Sequence, residues 1–114
     1  LDRSSAASDV YKRQVFTTVD QEGLAHTLAQ EIVQRKLAAC VQVIGDISSY
    51  YAWQGEVQRA QECLLQIKTL RRNYPALQTF LTAHHPYEVP EIIAISAVDA
   101  AENYHRWLKE NLMN

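Results

Sequence analysis

The sequence predicts an α+β fold in which a four-stranded sheet carries helices. Its 114 residues fit one domain with one hydrophobic core. Along the chain, apolar residues switch between a period of two and helical spacing, as strands and helices require. The resulting element order is β-α-β-β-α-β plus a C-terminal helix. With right-handed crossovers, this order is that of a ferredoxin-like split βαβ sandwich.

The first strand and helix are predicted from the β-branched run at 15–19 and the amphipathic stretch at 21–36. Asp20 is expected to cap the helix, and Arg35 and Lys36 place positive charge in its last turn, where the helix dipole favours it. Two adjacent ladders of residues spaced by four are expected to form its apolar face: Leu24, Leu28 and Ile32, and Ala25, Ala29, Val33 and Leu37.

A long β-hairpin is predicted next. Residues 39–53 read as one strand with a bulge at Gly45-Asp46, and residues 57–69 read as its partner. The intervening segment Trp53-Gln54-Gly55-Glu56 has the composition of a tight turn.

The last third of the chain is predicted to form a helix, a strand and a helix. Asn73 is expected to cap the second helix, which has Pro75 in its first turn and runs to about Ala83. The strand at 92–98 is nearly all apolar, which predicts burial on both faces. The C-terminal helix spans about 104–112. With two helices on one sheet face, the other face and the hairpin need a cover, for which a second copy of the chain is the simplest candidate.

Residues 1–14 are polar and serine-rich, and we expect a flexible, non-native arm there, with the single domain at 15–114. If the arm is foreign, polar residues replace the first half of strand one, and imperfect pairing is expected in that half.

Composition excludes several classes of function. The net charge is -2, the pI is near 6.1 and no basic stripe is present, so nucleic acid is not an expected partner. No apolar run is long enough to span a membrane, and no signal peptide is evident, so we expect a cytoplasmic protein.

Cys40 and Cys63 lack close-spaced partners and are expected to be reduced thiols. Phosphate-loop, dinucleotide-binding, nucleophile-elbow and HExxH signatures are missing, and no organic cofactor is expected.

The segment 83–91 (AHHPYEVPE) is dense in chemical groups for a connector. Imidazoles of His84 and His85 suit copper or zinc, and glutamates could supplement them. Equally, Pro86 and Pro90 force extended conformation on the residues before them, which describes a rigid turn. The turn interpretation is favoured, because adjacent histidines on regular backbone do not face one ion.

Two further sets of residues have alternative interpretations. Ser49, Tyr51 and Trp53 share one strand face and suit either subunit packing, which is favoured, or a ligand pocket. Lys68 lies among apolar strand residues. It is either a sheet-edge charge or an anion-binding group, with Glu62 or the glutamates of segment 88–91 as partners.

Four blocks of the chain together resemble the signature of the CutA family, in the same order and spacing. They are RKLAACV at 35–41, SxYxWxG at 49–55, LQIKT at 65–69 and HPYEVPE at 85–91. The resemblance covers about residues 15–112. It implies a ferredoxin-like subunit, a homotrimer sealed by strand pairing, a shape related to PII-type signalling proteins, and a non-enzymatic role in tolerance of divalent cations, particularly copper.

The resemblance also implies where ligands would bind. A Cu2+ or Zn2+ site would use His84 and His85. The cysteine that the family places in the first strand is replaced here by Thr17, a weak ligand for copper, which implies weak binding. A cleft between subunits is implied to be lined by Cys40, Tyr51, Trp53, Lys68, Tyr87, Glu88 and Glu91.

Two alternatives to metal binding remain open. One is a PII-like sensor that binds a small anionic ligand in the inter-subunit cleft through Lys68, Tyr51 and Trp53. The other is an enzyme with His85 as general base and Glu88 or Glu91 orienting it. The enzyme ranks last, because the sequence supplies no nucleophile in a recognisable setting.

Overall fold

Four strands and three helices make up residues 12–113, the part of the chain that the structure, a computed structural model, describes. The strands are β1 (Lys12–Val19), β2 (Cys40–Trp53), β3 (Glu56–Leu70) and β4 (Ile93–Ala97). The helices are α1 (Glu22–Gln34), α2 (Tyr74–His84), which follows a 3-10 turn at Arg71–Asn73, and α3 (Glu102–Glu110). The strands form one antiparallel sheet in the order β2-β3-β1-β4. The predicted α+β, split βαβ arrangement is confirmed.

The main core lies between one face of the sheet and helices α1 and α2. Alternate residues of β1 and β3 supply the sheet side, because successive strand side chains point to opposite faces. Each fully buried aliphatic side chain stabilises the fold by about 1.5–3 kcal/mol relative to exposure. The buried cluster includes Val15, Leu65 and Ile67 from the sheet, Leu28 and Ile32 from α1, and Leu77 and Leu81 from α2.

The other sheet face, which we call the open face, is contacted by α3 at Leu70 and carries partly exposed apolar side chains beyond that end. Its members are identified by register, because directly paired residues of antiparallel strands lie on one face. Phe16 pairs with Ile93, and Ile44 pairs with Leu64. Its partly exposed apolar members include Phe16, Ile44, Ile47, Leu64, Ile93 and Ile95.

The prediction that the 92–98 strand is buried on both faces is wrong. Ala94 contacts the main core, but Ile93 and Ile95 are 53% and 51% exposed. The reason is that β4 is an edge strand, and the side chains of Ile93 and Ile95 lie on the open face of the sheet. A nearly all-apolar strand therefore marks a surface that this chain alone does not cover.

The predicted start of β1 at Val15 is three residues too late. Lys12, Arg13 and Gln14 pair with both β3 and β4, so the expectation of imperfect pairing in that half is also wrong. Strand pairing uses backbone N–H and C=O groups, which a residue with a polar side chain also has. The remainder of the predicted arm, residues 1–11, lies outside the described residues.

The β2–β3 hairpin has both predicted irregularities. Gln54 and Gly55 have φ of 52° and 82°, the left-handed pair that a two-residue hairpin turn requires. Between Ile44 and Ile47 the register shifts by one residue, which is the predicted bulge at Gly45-Asp46.

The helix ends differ from prediction. Gln21, not Asp20, occupies the N-cap position of α1, without a side-chain cap, and Lys36 lies beyond the helix at φ 59°. Asn73 occupies the N-cap position of α2 as predicted. Its side chain instead donates a 2.6 Å hydrogen bond to the Met113 carbonyl, because the C-terminal segment returns to this point.

Helix α3 contributes Leu108 to a smaller cluster, which also contains Ala39, Leu70 and Leu112. None of the described helices is both long and apolar enough to cross a membrane. Cys40 and Cys63 are free, as predicted; Cys63 is buried and Cys40 is half-buried.

Candidate functional site

A cavity of about 730 Å3 lies where the hairpin, the end of β1 and the loop after α2 meet. We call it the hairpin cavity. Its volume is in the range of small-molecule sites in proteins. The strands contribute Thr18, Ser49, Tyr50, Tyr51, Ala52, Trp53, Ala60 and Glu62; Asp20 follows β1, and the loop contributes Tyr87, Glu88, Val89 and Glu91.

The bulge places the predicted aromatic pair on the open face. Before the bulge, the even-numbered residues of β2 lie on that face, since Ile44 pairs with Leu64. One extra residue reverses the alternation, so that Tyr51 and Trp53 now share the face of Glu62. Without the bulge, both aromatic side chains would point to the opposite face.

His85 fastens the loop after α2 to the end of β1. Its Nε2–H donates to the Thr18 carbonyl at 2.9 Å, and its Nδ1 accepts the Tyr87 backbone N–H at 3.2 Å. Both ring nitrogens are therefore used, and the pattern specifies the neutral ring with the proton on Nε2. Burial lowers the pKa of His85, although the Thr18 contact and the Glu62 and Asp20 carboxylates oppose the shift.

Tyr87 makes the second side-chain contact that holds the loop in place. Its hydroxyl donates a 2.6 Å hydrogen bond to Oε2 of Glu62, whose side chain is buried, and its ring meets that of His85 edge-on at 4.7 Å. Burial raises the pKa of Tyr87, and the hydrogen bond to the Glu62 carboxylate raises it further. The phenol therefore stays protonated and acts as a permanent donor.

The predicted metal residues do not form a preassembled site. Exposed His84 stacks on Phe80 at 4.2 Å and its Nδ1–H donates to the Phe80 carbonyl at 2.9 Å, which leaves Nε2 as its available nitrogen. Thr17 is fully buried, with a hydroxyl that finds no hydrogen-bond partner among residues 12–113. Over the same residues, no three His, Cys, Asp or Glu side chains are grouped as metal ligands.

The structure divides the predicted cleft residues into two groups. Tyr51, Trp53, Tyr87, Glu88 and Glu91 line the hairpin cavity. Cys40 and Lys68 do not; they pair with each other across β2 and β3, on the far side of the bulge. The Lys68 ammonium donates to Oε1 of Gln42, and within residues 12–113 it pairs with neither Glu62 nor the loop glutamates, which the sequence suggested as possible partners.

Several lining residues escape prediction from the sequence, of which Glu62 is the most informative. The sequence suggests it only as a partner of Lys68. Counting outward from the Gln54-Gly55 turn gives the pairs Trp53–Glu56, Ser49–Ala60 and Ile47–Glu62, all of which lie before the bulge. That count could have placed Glu62 beside the aromatic residues. No such count from the sequence places Asp20, Thr18 or Val89 in the cavity. They line it because the end of β1 and the loop after α2 lie beside the hairpin.

Residues 13–111 match the model of the family described as CutA1 divalent ion tolerance protein. The chain is 43% identical over 97 residues to the divalent-cation tolerance protein CutA of Thermus thermophilus, covering 85% of this chain and 94% of that protein. It is 38% identical over 95 residues to Protein CutA of Homo sapiens, covering 83% of this chain and 53% of that protein. The chain thus spans about half the length of the human relative.

Solved structures show the same similarity. The CutA1 crystal structure from Oryza sativa has a TM-score of 0.89 at 38% identity, covering 93% of this chain and 97% of that chain. The structure of the divalent cation tolerance protein from Thermus thermophilus has a TM-score of 0.87 at 41% identity, covering 90% of this chain and 99% of that chain.

Tyr87→Phe is expected to lower the free energy of unfolding by about 1–3 kcal/mol, because Oε2 of buried Glu62 loses its donor. Urea unfolding at fixed protein concentration measures this. The control is Tyr50→Phe, a change at an exposed tyrosine of the same cavity, expected to stay within about 0.5 kcal/mol of the parent. Equal effects of the two substitutions would contradict the role of the Tyr87 hydroxyl.

Stability is expected to fall as the pH drops below about 6.5, the ordinary histidine pKa. The pKa of His85 is lowered on folding, so the unfolded chain binds more protons and stability rises with pH through this window. The contribution is complete above the unfolded pKa and is lost as the pH falls towards the folded one.

Urea midpoints between pH 5 and 8 measure this dependence, and His85→Gln is expected to flatten it. His26→Gln, at an exposed histidine of α1, is the control and leaves the slope unchanged. His105, whose pKa burial also lowers, is retained in every variant, so the difference isolates His85. An unchanged slope in His85→Gln would refute the assignment.

Proposed function

The chain belongs to the CutA1 family of divalent ion tolerance proteins, and from that premise we propose that it acts in divalent-cation tolerance as a non-enzymatic homotrimer that binds Cu2+ or Zn2+ weakly. The family match over residues 13–111 is the observation that carries the proposal. Copper or zinc is favoured because imidazole is the available ligand type.

The open face supports assembly from copies of the chain. It presents Phe16, Leu64, Ile93 and Ile95 side by side, and isoleucines half-exposed on a sheet edge are a liability in a monomer. A symmetric oligomer would bury this patch with an identical one from each neighbour. Three-fold symmetry and the PII-like shape come from the family resemblance.

Weak metal binding is proposed at His84. The residue is exposed, and no group among residues 12–113 hydrogen-bonds to its Nε2, whereas using His85 would break its contacts with Thr18 and Tyr87. Thr17, in the position of the family's cysteine, is enclosed in the core and offers no thiolate. One imidazole per chain, supplemented by water or by symmetry-related copies, predicts low affinity.

The two alternative functions are less well supported by the geometry. An anionic ligand in the hairpin cavity would lack Lys68 and would meet carboxylates instead. General-base catalysis by His85 needs a free ring nitrogen, and both nitrogens are engaged; neither Glu88 nor Glu91 is the group that orients the ring.

Isothermal titration of Cu2+ and Zn2+ tests the metal proposal. We expect weak, saturable heat that His84→Ala removes and that His26→Ala, at another exposed histidine, retains. A flat titration of the intact oligomer, or binding that survives His84→Ala, would overturn the site.

Ile93→Glu is expected to dissociate the oligomer, because it places a charge in the apolar patch of the open face. Light scattering should give three chains per particle for the parent and fewer for this variant. Val33→Glu, at a partly exposed valine of α1 in the helix layer, is the matched control and keeps the parent mass. A monomeric parent protein would refute the trimer.

A further inference from the structure

The charged residues that line the hairpin cavity are all acidic. Its charged lining residues are Asp20, Glu62, Glu88 and Glu91, and the lining residues of the described chain include no Lys, Arg or His. Low-dielectric walls focus the field of such a cluster into the cavity. Charge alone does not identify a ligand, but it sets the sign that an occupant must have.

Glu62 supplies an independent indication of a cationic occupant. The residue is only 7% exposed, and Tyr87 occupies Oε2. Among residues 12–113, no group donates to Oε1 and no cation pairs with the side chain. Within the same residues, Oε1 is not one of the polar atoms that are both fully buried and without a hydrogen-bond partner. It is therefore accessible from the cavity. A buried carboxylate without a counter-ion is costly, and a cation beside Oε1 would relieve that cost.

Aromatic rings make the same cavity suitable for an organic cation. Tyr51 and Trp53 line it on the face of Glu62. Ring faces attract ammonium groups, tryptophan most strongly. Tyr50 also lines the cavity, but the Arg59 guanidinium already lies 6.0 Å from its ring centroid.

The arrangement of the acids distinguishes an organic cation from a bare metal ion. Divalent metals need several oxygen or nitrogen ligands converging on one point. Within residues 12–113 no three candidate ligands converge in this way. Dispersed carboxylates and aromatic walls around about 730 Å3 instead match a molecule with its own volume and separated positive charge.

We propose that the hairpin cavity binds a small organic ammonium cation, with Glu62 as its buried counter-ion and Tyr51 and Trp53 as its aromatic wall. This site is distinct from the metal site proposed at His84, which does not line the cavity. The two proposals can therefore fail separately.

Trp53 provides a direct readout of binding. The chain has two tryptophans, and Trp107→Phe leaves Trp53 as the only one. In this background, as the intact oligomer at low ionic strength, spermidine and tetramethylammonium are titrated as probes. We expect a saturable change in Trp53 fluorescence with at least one of them.

Glu62→Gln should weaken that binding about tenfold or more, because it removes the buried charge while the amide oxygen can still accept from Tyr87. The control is Glu110→Gln, at an exposed acid at the end of α3 outside the cavity, and it should leave the affinity unchanged. His84→Ala should also leave it unchanged, which separates this result from the metal titration.

Four results would overturn the proposal. They are no saturable response to either probe, a response that Glu62→Gln does not weaken, and stronger binding of Zn2+ or inorganic phosphate than of the ammonium probes. The fourth is a loss of oligomer mass in Glu62→Gln by light scattering, which would assign the counter-ion of Glu62 to a side chain of a neighbouring copy.

Discussion

The register of the β2–β3 hairpin is the constraint on which the arrangement of the molecule depends. The turn at Gln54-Gly55 fixes which residues pair, and the bulge before Ile47 changes that count by one. Because strand side chains alternate with a period of two, one extra residue exchanges the faces of everything beyond it. The core below the bulge and the cavity above it are thus built on a single pair of strands, of which β2 reverses its alternation at the bulge while β3 keeps the same alternation throughout.

The loop after α2 completes the site by closing over the hairpin, and its chemistry explains residues that otherwise suggest metal binding. His85 satisfies one carbonyl of β1 and one amide of its own loop, while Tyr87 satisfies one carboxylate oxygen of β3. Such local contacts satisfy polar groups that a connector without regular structure would leave unpaired. The two histidines are adjacent in sequence but differ in role, since only His84 is exposed and keeps a ring nitrogen without a hydrogen-bond partner among residues 12–113.

Much of the fold was predictable because apolar periodicity records which side of an element is buried. The element order, the turn and the bulge follow from that pattern and from glycine positions. Sequence could not place the start of β1, because Lys12 pairs through its backbone. Nor could it show the exposure of Ile93, which depends on what covers the sheet. In the site, the loop and the Tyr51–Trp53 face were predicted. The suggested pairing of Lys68 with Glu62 overlooked that both lie on β3, where six residues of extended strand separate them by about 20 Å.

The open face combines two surfaces of different character on one continuous sheet. Near β4 it is apolar, with Ile93 beside Phe16, and such a surface gains most from contact with another protein surface. Beyond Thr18 it becomes acidic and aromatic, and there the buried carboxylate of Glu62 resists burial against an apolar partner. The change occurs within a few residues of β1 and β3, so an oligomer that covers the apolar part must hold the hairpin cavity close to its subunit boundary. Any cation that binds beside Glu62 would then lie near the subunit boundary, because the same strands carry both surfaces.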